Sequence, residues 1–124
     1  MAKTPERKTK LNEPACVAKL SSIEDALYVI GGKWKLRVIV ALRDGESKRF
    51  NELQRTIKGI SARVLSNELK ELEMNGFVKR IVRTDQYPVV VEYLPTDYSA
   101  TLSDIIRTLA EWGHKHKKKI TAKG

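Results

Sequence analysis

The chain has 124 residues, 41% of them apolar and 31% charged, enough for one compact domain with a single core and too few for two. No apolar run approaches the ~18 residues of a membrane-spanning helix, and Met1-Ala2-Lys3-Thr4-Pro5-Glu6-Arg7-Lys8 carries charge where a secretory signal would turn apolar. The single cysteine, Cys16, excludes an internal disulfide and paired-cysteine zinc ligation, so the expectation is a disulfide-free cytoplasmic protein with no metal or cofactor.

The formal net charge is +9, and its location matters more than its size. Residues 1–20 carry Lys3, Arg7, Lys8, Lys10 and Lys19 against Glu6 and Glu13, and residues 112–124 carry Lys115, Lys117, Lys118, Lys119 and Lys123 with no acid. A basic total suits a polyanionic partner, but most of this excess sits on the two ends, where it also serves solubility.

Residues 1–20 read as a flexible basic arm, polar and interrupted by Pro5 and Pro14. Ser21 or Ser22 is the expected N-cap of a first helix through Ile23, Ala26, Leu27 and Ile30, stopped by Gly31-Gly32. A second helix from about Lys33 places Trp34, Val38, Ala41 and Leu42 on one face, with Leu36, Ile39 and Val40 widening it, as suits the centre of a core. A short helix over about 51–57 follows, and Lys58-Gly59-Ile60 turns the chain. Ser61 then caps a helix whose buried stripe is Val64, Leu65, Leu69 and Leu72 and whose stop is Asn75-Gly76. Two β-rich runs, 77–83 and 89–94, flank the loop Thr84-Asp85-Gln86-Tyr87-Pro88 as a hairpin. From Thr96 or Asp97 a last helix bears Leu102, Ile105, Ile106, Leu109 and Trp112 and decays into the lysine-rich tail.

Two helices joined by a short glycine-containing turn and followed at once by a hairpin form the winged helix-turn-helix layout: mainly α, with a small β wing. The helix of residues 61–75 would enter the major groove and a wing of about 83–90 would lie beside it. Once the stripe turns inward, Ser61, Ala62, Arg63, Ser66, Asn67 and Lys70 are left outside. Arg63 matches guanine O6 and N7, Asn67 matches adenine N6 and N7, and Ala62 suits a thymine methyl. Lys48, Arg49, Arg55, Lys58 and Arg63 face only Glu52 in the preceding segment, so the otherwise near-neutral middle is locally basic there. Lys48, Arg49, Asn51 and Lys58 join the candidate DNA contacts. Arg80 and Arg83 lead into the wing, where Arg83 and Gln86 are candidates for phosphate or minor-groove contact.

Several stretches also carry a family resemblance. Ala26-Leu27-Tyr28-Val29-Ile30-Gly31-Gly32-Lys33-Trp34-Lys35-Leu36, Lys48-Arg49-Phe50-Asn51-Glu52-Leu53, Gly59-Ile60-Ser61-Ala62-Arg63-Val64-Leu65, Leu69-Lys70-Glu71-Leu72-Glu73-Met74-Asn75-Gly76, Val91-Glu92-Tyr93 and Leu109-Ala110-Glu111-Trp112-Gly113 together resemble the HxlR-type winged helix-turn-helix transcriptional regulators over roughly residues 21–114. The resemblance implies a cytoplasmic bacterial or archaeal homodimer on double-stranded operator DNA, joined through its N- and C-terminal helices, with residues 115–124 as a basic tail. Three places depart from the family pattern. Val90 stands where a cation often precedes Val-Glu-Tyr, Pro95-Thr96 and Ser99 follow Tyr93, and Leu20-Ser21-Ser22 occupies the neighbourhood of a common Cys-Pro.

Cys16 lies a few residues ahead of that neighbourhood and is the one candidate redox sensor, with Lys19 nearby to favour its thiolate. An inert small residue is the plainer reading. Gly31-Gly32-Lys33 lacks the phosphate-loop spacing, and His114 and His116 sit among lysines that repel a metal cation. No Ser, His and acid arrangement suggests a nucleophile with its base, so no enzyme is expected. Ile23, Leu27, Leu102, Ile105, Ile106, Leu109 and Trp112 are the candidate dimer contacts. Sequence-specific regulation therefore leads, against a non-specific nucleic-acid binder relying on basic tails and a winged-helix protein–protein module. The sequence names no effector, operator or direction of regulation.

Overall fold

The computed structural model describes residues 13–122, which divide after Gly32 into two units. The first is a single helix, α1 (Glu13–Ile30). It begins well ahead of the expected cap, so Ser21 and Ser22 lie mid-helix and residues 13–20 of the expected arm are helical. Pro14 explains the early start: proline is accepted in a first helical turn, where its missing N–H has no intrahelical partner anyway, and Ala15, Ala18 and Leu20 favour continuation. The rest of the proposed arm, residues 1–12, lies outside the described residues. The helix ends where expected, with the Gly31 N–H bonded to the Leu27 carbonyl at 2.7 Å. It exposes Val17, Leu20, Ile23 and Leu27 and leaves Cys16 half-buried.

The second unit runs α2 (Lys35–Ala41), β1 (Lys48–Arg49), α3 (Phe50–Thr56), α4 (Ala62–Met74), β2 (Val78–Arg83), β3 (Val90–Pro95), a 3-10 helix (Asp97–Leu102) and α5 (Ser103–Ala122). Its core is aliphatic: Val38, Ile39 and Leu42 meet Leu53, Ile57 and Ile60 and the α4 stripe Leu65, Leu69 and Leu72, closed by Phe77, Val78 and Leu102. Val64, expected inside, is only half-buried.

Tight local bonding sets the helix-turn-helix. The Glu52 carboxylate accepts from the Arg49 N–H at 2.9 Å and starts α3. Gly59, at φ +86°, turns the chain in the left-handed region, which side chains disfavour. The Ser61 hydroxyl accepts from the Val64 N–H at 3.1 Å and caps α4 as expected. At the far end Gly76, at φ +84°, releases the chain into β2.

The expected hairpin is part of a three-stranded antiparallel sheet of order β1-β3-β2. The two-residue β1 pairs Lys48 with Tyr93 and Arg49 with Glu92, while β2 pairs with β3 from Val78 opposite Pro95 to Arg83 opposite Val90. The wing loop carries a cis Tyr87–Pro88 peptide.

The last helix does not follow the hairpin directly. Thr96 closes a 3-10 helix by accepting from the Ser99 N–H at 3.3 Å, while its hydroxyl donates to the Gly76 carbonyl and its N–H bonds the Phe77 carbonyl at 3.1 Å. Tyr98 stacks on Phe77 with ring centroids 5.1 Å apart. The Pro95-Thr96 and Ser99 departures therefore serve a defined junction, in which the buried Ser99 hydroxyl donates to the Thr96 carbonyl at 2.9 Å. Helix α5 continues through the lysine run to Ala122, so residues 115–122 are helical where a decaying tail was expected.

Candidate nucleic-acid interface

The N-terminal half of α4 presents the expected polar face. Ser61, Ala62, Arg63, Asn67 and Lys70 are exposed and Ser66 is half-exposed. Asn51 and Lys58, in α3 and the turn, are exposed as well, as is Arg49. Among the described residues Arg49, Lys58, Arg63 and Lys70 enter none of the ion pairs. Lys70 and Glu73, which could have laced the helix surface, do not pair.

The acids of α4 are disposed of from elsewhere. Lys35, at the start of α2, places its ammonium 2.8 Å from Glu68 and 2.7 Å from Glu71. Hydrogen bonds to Glu68 and then Glu71 hold its pKa above the ordinary value. Neighbouring Trp34 lies under two cations, the Lys33 ammonium 4.8 Å and the Arg37 guanidinium 5.3 Å from its ring centroid. Lys35 thus holds Glu68 and Glu71 together, while among the described residues Glu73 enters no ion pair.

Two expected contacts are already engaged. Arg83 is bound across the hairpin, its Nε 2.8 Å from the Glu92 carboxylate, which this bond holds below the usual carboxylate range. Arg83 is thus paired within the hairpin, and Gln86, in the loop beyond, is exposed. Lys48 sits in β1 with its ammonium 2.7 Å from both Asp44 oxygens and its side chain 17% exposed, a pair that closes the loop between α2 and β1. The same bond, helped by the Glu46 N–H, lowers the pKa of Asp44.

Pairing register supplies what the sequence reading missed. Directly opposed residues share a face, so Lys48, Tyr93 and Arg80 form one row across the sheet while Arg49, Glu92 and Ile81 form the next row on the other face. Arg80 and Tyr93 line a cleft against Ser66, Leu69, Lys70 and Glu73 of α4. The parity of β2 could have separated Arg80 from Arg83, since residues three apart in a strand point to opposite faces.

Among the candidate dimer contacts, Leu102 is a correction. It is buried in the core of its own unit because the 3-10 helix turns it inward. Ile106 is half-buried, whereas Ile105, Leu109 and Trp112 lie exposed along α5, as do Ile23 and Leu27 on α1. His116 stacks on Trp112 with centroids 5.0 Å apart. Among the described residues no helix is long and apolar enough to cross a membrane.

Comparison with known proteins agrees with this architecture. Residues 29–121 match the family model described as HxlR-like helix-turn-helix. An uncharacterized HTH-type transcriptional regulator of Halalkalibacterium halodurans is 43% identical over 104 residues, covering 80% of this chain and 91% of that protein. The crystal structure of the HTH-type regulator ytcD is similar with a TM-score of 0.73 at 40% identity, over 77% of this chain and 96% of that one. The redox regulator HypR in its reduced form is similar with a TM-score of 0.74 at 40% identity, over 82% and 98%. The chain belongs to the HxlR-like family of DNA-binding helix-turn-helix transcriptional regulators.

Proposed function

We propose that this chain acts in the cytoplasm as a homodimer that binds operator DNA sequence-specifically, with residues 61–75 in the major groove and the wing of residues 83–90 beside it. One observation carries the reading: Arg63, Asn67 and Lys70 stand exposed on the N-terminal half of α4, while Lys35 holds Glu68 and Glu71. A helix so arranged offers an arginine fork and a carboxamide to base edges while Glu68 and Glu71 are held from behind by Lys35. The polar character of that face speaks against a protein-docking module, whose recognition helix would expose apolar side chains. Dimerisation is supported by the exposed apolar residues Ile105, Leu109 and Trp112 on α5 and Val17, Leu20, Ile23 and Leu27 on α1, more than an isolated small domain ordinarily leaves uncovered.

The test is titration with duplex from upstream of the protein's own gene and neighbouring genes against scrambled duplex of equal composition, at two salt concentrations. Specific regulation predicts a preference of about a thousandfold or more for one natural duplex. Equal affinity for all sequences with a steep salt slope would favour the non-specific binder. Binding to no duplex would end the DNA reading.

A further inference from the structure

The cleft between α4 and the root of the hairpin has a volume of about 300 Å³ and is lined by Ser66, Leu69, Lys70, Glu73, Arg80 and Tyr93. Ser66, Lys70 and Glu73 are spaced i, i+4, i+7, so they line one face of α4 on successive turns. Arg80 lies directly opposite Tyr93 in the β2–β3 ladder, which puts both side chains on the sheet face turned towards that helix. Leu69 is buried and forms the floor.

The lining is chemically one-sided at one end. Ser66 and Lys70, with Arg80 and Tyr93 across from them, offer two hydroxyls, an ammonium and a guanidinium fork. Glu73, a turn beyond Lys70 and away from Ser66, brings the one carboxylate. Among the described residues Lys70, Glu73 and Arg80 form no ion pair with one another or with any other residue. Two unpaired cations and two hydroxyls over an apolar floor suit a compact oxyanion, because the guanidinium presents parallel donors to two oxygens. Arg63, Asn67 and Lys70 follow one another along α4, so a strand whose bases meet Arg63 and Asn67 would carry its sugar-phosphate backbone past the Ser66–Lys70 end.

We infer that this cleft seats one backbone phosphate of bound DNA between Lys70 and Arg80, and that Glu73 is the wall that stops the backbone from sliding further along α4. The inference rests on the proposed placement of α4 in the major groove. It assigns to Arg80 a contact that the sequence suggested for Arg83, which is tied to Glu92, and it places that contact at the root of the wing instead of its tip.

The test measures affinity for operator and scrambled duplexes across a salt series. Arg80→Ala and Lys70→Ala each weaken both duplexes by about tenfold, leave their ratio unchanged and make the slope of log K against log salt shallower by about 0.9. Arg80→Lys keeps the slope. Glu73→Gln tightens both duplexes, a change of sign that misfolding cannot imitate. Arg83→Ala keeps the wild-type slope. A wild-type slope in Arg80→Ala or no tightening in Glu73→Gln would overturn the assignment while the major-groove reading stood. Failure of the wild-type protein to bind any duplex would instead remove the reading on which it rests.

Discussion

Lys35 and Glu68 are 33 positions apart in sequence, yet the Lys35 ammonium donates to the Glu68 carboxylate at 2.8 Å with its side chain only 12% exposed. Glu71, one turn along α4, completes a fork around the same ammonium at 2.7 Å. One cation therefore joins α2 to α4 and offsets part of that helix's negative charge. Its pKa is raised above the ordinary 10.5, so the contribution of the fork is complete below that value and is lost only as pH rises through the folded-state pKa.

Lys35→Met should consequently do two things. It leaves Glu68 unpaired at 19% exposure and should cost about 1–2 kcal/mol, the more exposed Glu71 adding little. If α4 lies against DNA as proposed, the substitution should also weaken DNA binding without regard to sequence, because the Glu68–Glu71 pair then carries one more uncompensated negative charge. Denaturant unfolding measures the first effect and duplex titration the second. Lys35→Met/Glu68→Gln should recover part of both losses, and additivity of the two substitutions would show that the pair is uncoupled.

Base reading and backbone contact should separate by residue. Arg63→Ala should cost ~1–3 kcal/mol on the operator and relax the preference at particular base pairs, whereas Lys58→Ala should weaken operator and scrambled duplexes equally. Lys48→Ala should leave the salt slope unchanged, since Asp44 already holds that ammonium. Equal losses on both duplexes for Arg63→Ala would disprove its base-reading role.

The wing should loosen in acid. Arg83 holds the Glu92 carboxyl below its ordinary 4.5, so the pair stabilises the hairpin above that pH and ceases to do so as pH falls through the lower folded-state value. Wild-type and Glu92→Gln melting temperatures should therefore differ at neutral pH and converge as the pH falls through the lowered Glu92 pKa. A difference persisting at full strength in acid would mean that the charge of Glu92 is irrelevant.

Dimerisation through α5 should depend on the exposed stripe and not on Leu102. Leu109→Asp or Trp112→Asp should shift sedimentation at micromolar concentration from dimer to monomer, because a charge placed in an apolar interface has no partner there. Leu102→Ala should instead lower stability by about 2–5 kcal/mol, as truncations in a close-packed core do, with association unchanged in the folded fraction.

Much of α4 was legible in the sequence because its signals are local. A serine cap, a stripe at Leu65, Leu69 and Leu72 and an Asn75-Gly76 stop each act within a few residues, and the helix runs between the limits they mark. The exposed reading face followed from the same periodicity. Helix α1 started early because a proline that usually signals a break sits where a helix tolerates it. β1 escaped notice because two residues are too few to show alternation.

The site required more than local patterning. Arg80 and Arg83 have the same chemistry and nearly the same position, but strand parity sends them to opposite faces, and only the pairing of β3 with both neighbours decides which face meets α4. Lys35 carried no sign of its role, since its partners are defined by the packing of α2 on α4. The sequence by itself determined most of the elements, their order and the polar face of α4, because caps, turns and hydrophobic periodicity operate over three or four residues. The tertiary structure alone decided which charges are spent on one another and which remain free for DNA, because an ion pair depends on distances of a few ångströms between groups that the chain separates by tens of residues.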